Sequence, residues 1–96
     1  MNAYLILDLA IRDYNQFREY IEKIPHFIAK HSGRYVVQGV EAEVMEGDWK
    51  PERVAVIEFP SKEKAKGFLY DPDAQELFKL RHNTTVSKLI LVEGCL

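Results

Sequence analysis

Apolar residues recur along this chain in two rhythms, and the changes between them mark its elements. Ala3 to Ile11 is almost wholly apolar, as expected of a strand covered on both faces. Tyr14, Phe17, Ile21, Ile24, Ile28 and His31 then follow spacings of 3, 4, 3, 4 and 3, which are helical. Asp13 caps that helix, Pro25 predicts a kink near Ile21, and Ser32-Gly33 ends it with glycine at the left-handed position. Arg34 to Gly39 predicts a second strand with a bulge at Gly39, after which Ala42 to Met45 resumes pairing. Glu46-Gly47-Asp48 is a turn, and Arg53 to Phe59 is a third strand. Its run Val54-Ala55-Val56-Ile57-Glu58-Phe59 is too apolar for an edge and leads through Pro60 to a helix N-cap at Ser61. Ala65, Phe68 and Leu69 share one side of that short helix. Asp71-Pro72 starts a further helix to about Arg81, and Val86 to Glu93 is the last strand.

The order β-α-β-β-α-β, with its second helix split, predicts an α+β ferredoxin-like sandwich. Right-handed crossovers place the first and third strands in the middle, with the helices on one face. No element of the chain is left to cover the other face. Tyr4, Ile6, Val36, Val54 and Val56 share its strand parity with Asp8, Arg34, Gln38 and Glu58. A mostly apolar face left bare is an association site, so a homodimer through this face is expected.

Composition narrows the class. Ninety-six residues make one domain, and 47% hydrophobic with 29% charged is ordinary for a globular protein. A net charge of −2 with dispersed basic residues speaks against nucleic acid. No apolar run is long enough to span a membrane, and the start Met-Asn-Ala-Tyr lacks a signal-peptide pattern. The single cysteine, Cys95, cannot form an intrachain disulfide. Together these predict one cytoplasmic domain.

Several segments resemble one bacterial family. They are Gly33-Arg34-Tyr35-Val36-Val37-Gln38-Gly39, Val44 to Arg53, and Val56-Ile57-Glu58-Phe59-Pro60-Ser61. Asp71-Pro72 with Gln75, Leu77 and Arg81, and the ending Leu91-Val92-Glu93-Gly94, extend the likeness over nearly the whole chain. The family is catalogued as domain of unknown function 1330. The chain departs from its usual pattern at Ala74 and Val40. The resemblance implies a dimeric α+β barrel in which two ferredoxin-like sheets face each other. It brings no assigned reaction, although related dimeric barrels include oxygenases, lyases and isomerases.

Candidate chemistry centres on Glu58, a carboxylate within an apolar strand. Unpaired there, it would have a raised pKa suited to general acid–base work. Paired with Arg34 of the neighbouring strand, it would stay ionised and fix register. Arg34 could itself clamp a carboxylate or enolate. His31 gains from the helix dipole and could assist as a donor. His26 and His82 read as surface residues. Arg81 reads as an ion-pair partner near a pocket mouth, and Tyr4, Tyr14 and Tyr35 as core aromatics able to donate to a ligand. His26 and His31 are five apart, and no HExxH, CxxC or glycine-rich phosphate loop occurs, so neither metal nor cofactor is expected. Ser61 sits at a plain N-cap, not on a nucleophile elbow.

The functional expectation is a cofactor-independent enzyme acting on a hydrophobic or aromatic carbonyl compound in an inter-sheet cavity. Glu58 would move the proton, Arg34 hold the anion and His31 assist, with Tyr4 and Arg81 as ligand contacts. The rival expectations are a noncatalytic module for a small organic acid and a ligand-free structural dimer.

Overall fold

A computed structural model describes residues 1–96. The elements in order are β1 (Ala3–Ile11), α1 (Tyr14–Lys30), β2 (Arg34–Val40), β3 (Arg53–Phe59), α2 (Lys62–Leu69), a 3-10 turn (Pro72–Ala74), α3 (Gln75–Thr84) and β4 (Thr85–Glu93). The strands form one antiparallel sheet in the order β2-β3-β1-β4, so β1 and β3 are central as the apolar runs require. The predicted ferredoxin-like α+β fold is the observed one.

The helices cover one sheet face only. Along β1, Ala3, Leu5, Leu7 and Leu9 are buried beneath them while Tyr4, Ile6 and Asp8 are half-buried on the open side. In the single chain β1 is thus covered on one face, where the sequence predicts two. The core joins those leucines to Phe17, Ile24 and Ile28 of α1, Ile57 and Phe59 of β3, Phe68 of α2 and Phe78 of α3.

The caps follow the sequence closely. Asp13 Oδ1 accepts from the Gln16 amide at 3.1 Å, and Ser61 Oγ from the Lys64 amide at 3.1 Å. Helix α1 continues through Pro25 as one element. At its end the left-handed residue is Ser32, with φ +65°, and not Gly33. Gly33 answers a different need: a Cβ there would lie 2.5 Å from the Phe59 ring, so only glycine lets this fully buried ring sit against the helix exit.

The buried stripe of α1 is Phe17, Tyr20, Ile24 and Ile28, whereas Tyr14 and Ile21 are exposed at 57% and 41%. Tyr20 can turn inward because its ring stacks on Phe17 at 5.1 Å and its hydroxyl meets Arg81.

Strand β2 carries two irregularities. Tyr35 opposes Ile57 but Val37 opposes Val56, and Val40 opposes Val54, so each step inserts one extra residue on β2. Gly39 takes φ +62° within the second. The first bulge reverses side-chain parity, putting Val37 on the open face and Gln38 on the helical side, opposite to the simple alternation. Ala42 to Met45 does not pair; residues 41–52 form a long connection instead. From it the Trp49 indole N–H donates to Asp8 Oδ2 at 2.7 Å. The open face thus has one partial cover from its own chain.

Candidate functional site

Glu58 lies at the middle of a polar row that crosses three strands. The register sets Arg34 of β2 opposite Glu58, and Glu58 opposite Tyr4 of β1. Arg34 Nε donates to Glu58 Oε1 at 2.9 Å, and the Tyr4 hydroxyl donates to Oε2 at 2.9 Å. Each carboxylate oxygen therefore has a dedicated donor. The Tyr4 hydrogen bond first, and then Arg34, hold the Glu58 carboxyl below its ordinary value, while the same bond and partial burial raise the Tyr4 hydroxyl. The Glu58 side chain is 17% exposed and that of Arg34 is 73% exposed, so the arginine offers most of its surface to whatever meets this face.

One cavity of the chain is on the opposite side of the sheet. A cleft of about 260 Å³ opens between α1 and strands β1, β2 and β3. Leu7, Leu9, Ile11, Phe17 and Ala55 form its apolar walls, and Tyr14, Tyr20, Ile21, Tyr35, Gln38, Gly39 and Arg53 complete it. Tyr14, exposed on α1, and Tyr20, on its buried stripe, thus line one cleft. The β2 bulge supplies Gln38. Arg53 Nη1 donates to the Gly39 carbonyl at 3.0 Å, holding the bulge against β3. Burial, followed by the neighbouring Tyr20, pushes the Tyr35 hydroxyl far above its ordinary value, so it stays a neutral O–H that can donate a hydrogen bond but not a proton.

His31 and Arg81 belong to neither group. His31 Nε2 and Lys30 Nζ lie 2.7 Å and 2.8 Å from the same oxygen, Oδ2 of Asp71. The other carboxylate oxygen of Asp71 accepts from the Asp73 amide at 2.9 Å. Lys30 first, then His31 and that amide, hold the Asp71 carboxyl far below the usual carboxylate range. Asp71 is 4% exposed, and its cluster ties the end of α1 to the α2–α3 junction. His31 and Glu58 are therefore on opposite faces of the sheet.

Arg81 is 5% exposed between the rings of Phe78 and Tyr20, at 5.4 Å and 5.8 Å from their centroids. Its Nη1 donates to the Tyr20 hydroxyl at 3.3 Å and its Nη2 to His82 Nε2 at 3.3 Å. No carboxylate pairs with it, contrary to the ion-pair role that the sequence suggests. That reading treats a polar helix end as solvated, whereas α3 runs three residues further, to Thr84, and packs its last turn on α1.

The structure thus assembles Tyr4, Arg34 and Glu58, and separates His31 and Arg81 from them and from each other. Sequence reasoning overlooks Tyr20 and Gln38. Tyr20 had a signal, since 17, 20, 24 and 28 are as helical a spacing as 17, 21, 24 and 28. Gln38 had none beyond the bulge glycine. No three His, Cys, Asp or Glu side chains converge in a way that could hold a metal ion, and no helix is long and apolar enough to cross a membrane.

Comparison with known proteins gives a family without an activity. The family model described as a domain of unknown function (DUF1330) matches residues 2–95. No curated protein matches the chain. Among solved structures, a protein of unknown function from Rhodopseudomonas palustris aligns with a TM-score of 0.79 at 19% identity, over 99% of this chain and 83% of its own. A dimeric ferredoxin-like protein of unknown function from Jannaschia sp. CCS1 aligns with a TM-score of 0.76 at 10% identity, over 98% and 100%. SnoaB of Streptomyces nogalater, a cofactor-independent oxygenase, aligns with a TM-score of 0.72 at 12% identity, over 99% and 94%. At such identities these likenesses show a shared fold and nothing finer.

Proposed function

Because the chain belongs to this DUF1330 family, we propose a function built on fold and cleft: a homodimer formed through the open sheet face, binding a small hydrophobic or aromatic carbonyl compound between α1 and the sheet. The observation that carries the reading is the cleft itself, mostly apolar yet edged by Tyr35, Gln38 and Arg53. Such convergence of a few polar groups on an apolar cavity is the usual form of a small-molecule site. Its volume of about 260 Å³ lies just below the range for drug-sized ligands, which favours a one- or two-ring molecule. Tyr35, a neutral phenol, is a hydrogen-bond donor suited to a carbonyl oxygen. The dimeric Jannaschia neighbour supports the assembly.

Within this reading, a cofactor-independent reaction on the bound carbonyl compound is the catalytic branch, supported by the fold shared with the SnoaB oxygenase. A noncatalytic binding module is the second branch. It is favoured by one specific observation: both oxygens of Glu58 are already occupied, and its pKa is lowered where a general base at neutral pH wants it raised.

Lawsone, a bicyclic hydroxyquinone, is a suitable probe for amide NMR titration. The proposal expects saturable shifts at Tyr35, Gln38 and Ala55. Shifts confined to Tyr4, Arg34 and Glu58 would instead locate the ligand between two sheets, and no shift across a panel of related quinones and anthrones would leave only the structural dimer. Oxygen uptake by the metal-free, flavin-free protein with bound probe separates the catalytic branch from the binding one.

A further inference from the structure

A second cavity lies at the other end of the helical layer, and it touches a charge that the chain does not neutralise. It has a volume of about 330 Å³ and sits between α3, the end of α2 and β4. Leu69, Phe78 and Leu89 give it an apolar wall, with Ser87, Arg81 and His82 on its polar side. Arg81 is 95% buried by its 5% exposure, and a buried cation is ordinarily paired with a carboxylate. None is present, and two ring faces and a tyrosine hydroxyl compensate only part of a full charge. The guanidinium Nε is moreover buried with no hydrogen-bond partner at all. An orphaned donor of this kind on a fully ionised group is rare in folded proteins and points to a missing acceptor.

The identity of that acceptor follows from which donors remain. Nη1 is committed to Tyr20 inside the fold. Nη2 has two hydrogens and contacts only the exposed His82 ring. Nε and Nη2 share one edge of the planar guanidinium and present parallel N–H bonds, the arrangement that fits the two oxygens of a carboxylate.

We propose that the α3–β4 cavity is a carboxylate site, in which Arg81 takes a small organic monoacid side-on through Nε and Nη2 and Leu69, Phe78 and Leu89 receive its apolar body. The Nε–Nη2 edge is closed off in the free chain, so the His82 ring swings away from Nη2 to admit the carboxylate, and the ligand supplies the counter-charge that the chain lacks. This site is distinct from the cleft under α1 and stands whether or not that cleft binds a carbonyl compound.

Benzoate tests it, with benzamide as the neutral isostere and inorganic phosphate as a non-planar anion. In the intact protein, benzoate is expected to shift the Arg81 Nε–H resonance saturably and to raise Tm, while benzamide does neither. Arg81→Met removes an unpaired buried charge, so it is expected to fold with Tm at or above the wild type and to lose the benzoate response. Should it fail to fold, Arg81→Lys keeps the charge without the planar fork and is expected to bind benzoate at least about tenfold more weakly. The proposal is overturned by a benzoate response that survives in Arg81→Met or keeps its wild-type affinity in Arg81→Lys, by an equal response to benzamide or phosphate, or by no movement of the Arg81 resonance.

Discussion

Single residues here are decided by what lies across from them. Gly33 would be read as a helix terminator, yet Ser32 takes the left-handed turn and Gly33 is required by the Phe59 ring. Gly33→Ala therefore overpacks a core with no room to yield, and is expected to cost about 1–3 kcal/mol in urea unfolding. An alanine that left the midpoint unchanged would refute the contact. Glu58 is decided by its two donors. Its folded pKa is depressed, so its contribution is complete above the ordinary value of 4.5 and fades as pH falls through the folded value. The stability gap between wild type and Glu58→Gln should accordingly narrow from neutral pH toward about pH 3. A gap that widened on acidification would mean a raised pKa and an unpaired carboxylate. Arg34 remains largely in water in the single chain, so losing Glu58 does not strand a buried cation there.

At the scale of elements, the caps, the strand order and the Arg34–Glu58 pairing were legible because each depends on local chemistry or on topology alone. Asp13, Ser61 and Asp71 all cap where their side chains and following residues predict. What stayed hidden turns on rotations by one residue. Choosing Tyr20 over Ile21 swings the buried stripe of α1, and it rests on the Arg81 hydrogen bond to the Tyr20 hydroxyl, which no window of sequence contains. The β2 bulges likewise invert Gln38 without changing any apolar pattern. Asp71 was legible as a cap but not as a tertiary lock, since Lys30 and His31 arrive from forty residues away. That lock makes a prediction. Asp71→Asn should speed amide exchange across the Tyr70–Gln75 junction and flatten the acid limb of the stability curve, because a carboxyl held this low contributes in full above its ordinary value of 3.8. Unchanged exchange at the junction would assign the cluster to the surface.

At the scale of the molecule, one sheet face is packed and the other waits. Val36, Val40, Val86, Ile90 and Val92 are all 40% or more exposed, too large an apolar surface for a chain that stays alone. A dimer burying about 1,200 Å² or more in total is expected by light scattering, and Ile90→Glu should shift it to monomer without unfolding it. A wild type that is monomeric at micromolar concentration would remove the assembly proposal. The two margins of this sheet are also unlike. Edge strand β2 breaks register twice and leads into the long connection from 41 to 52, whereas edge strand β4 pairs without interruption from Glu93 back to Thr85. Bulged margins resist the addition of a foreign strand, and regular ones invite it. Accretion onto this protein has a polarity: a stray extended segment can extend the sheet from β4, while β2 works as a terminator, so runaway stacking of copies edge to edge lacks a second competent end.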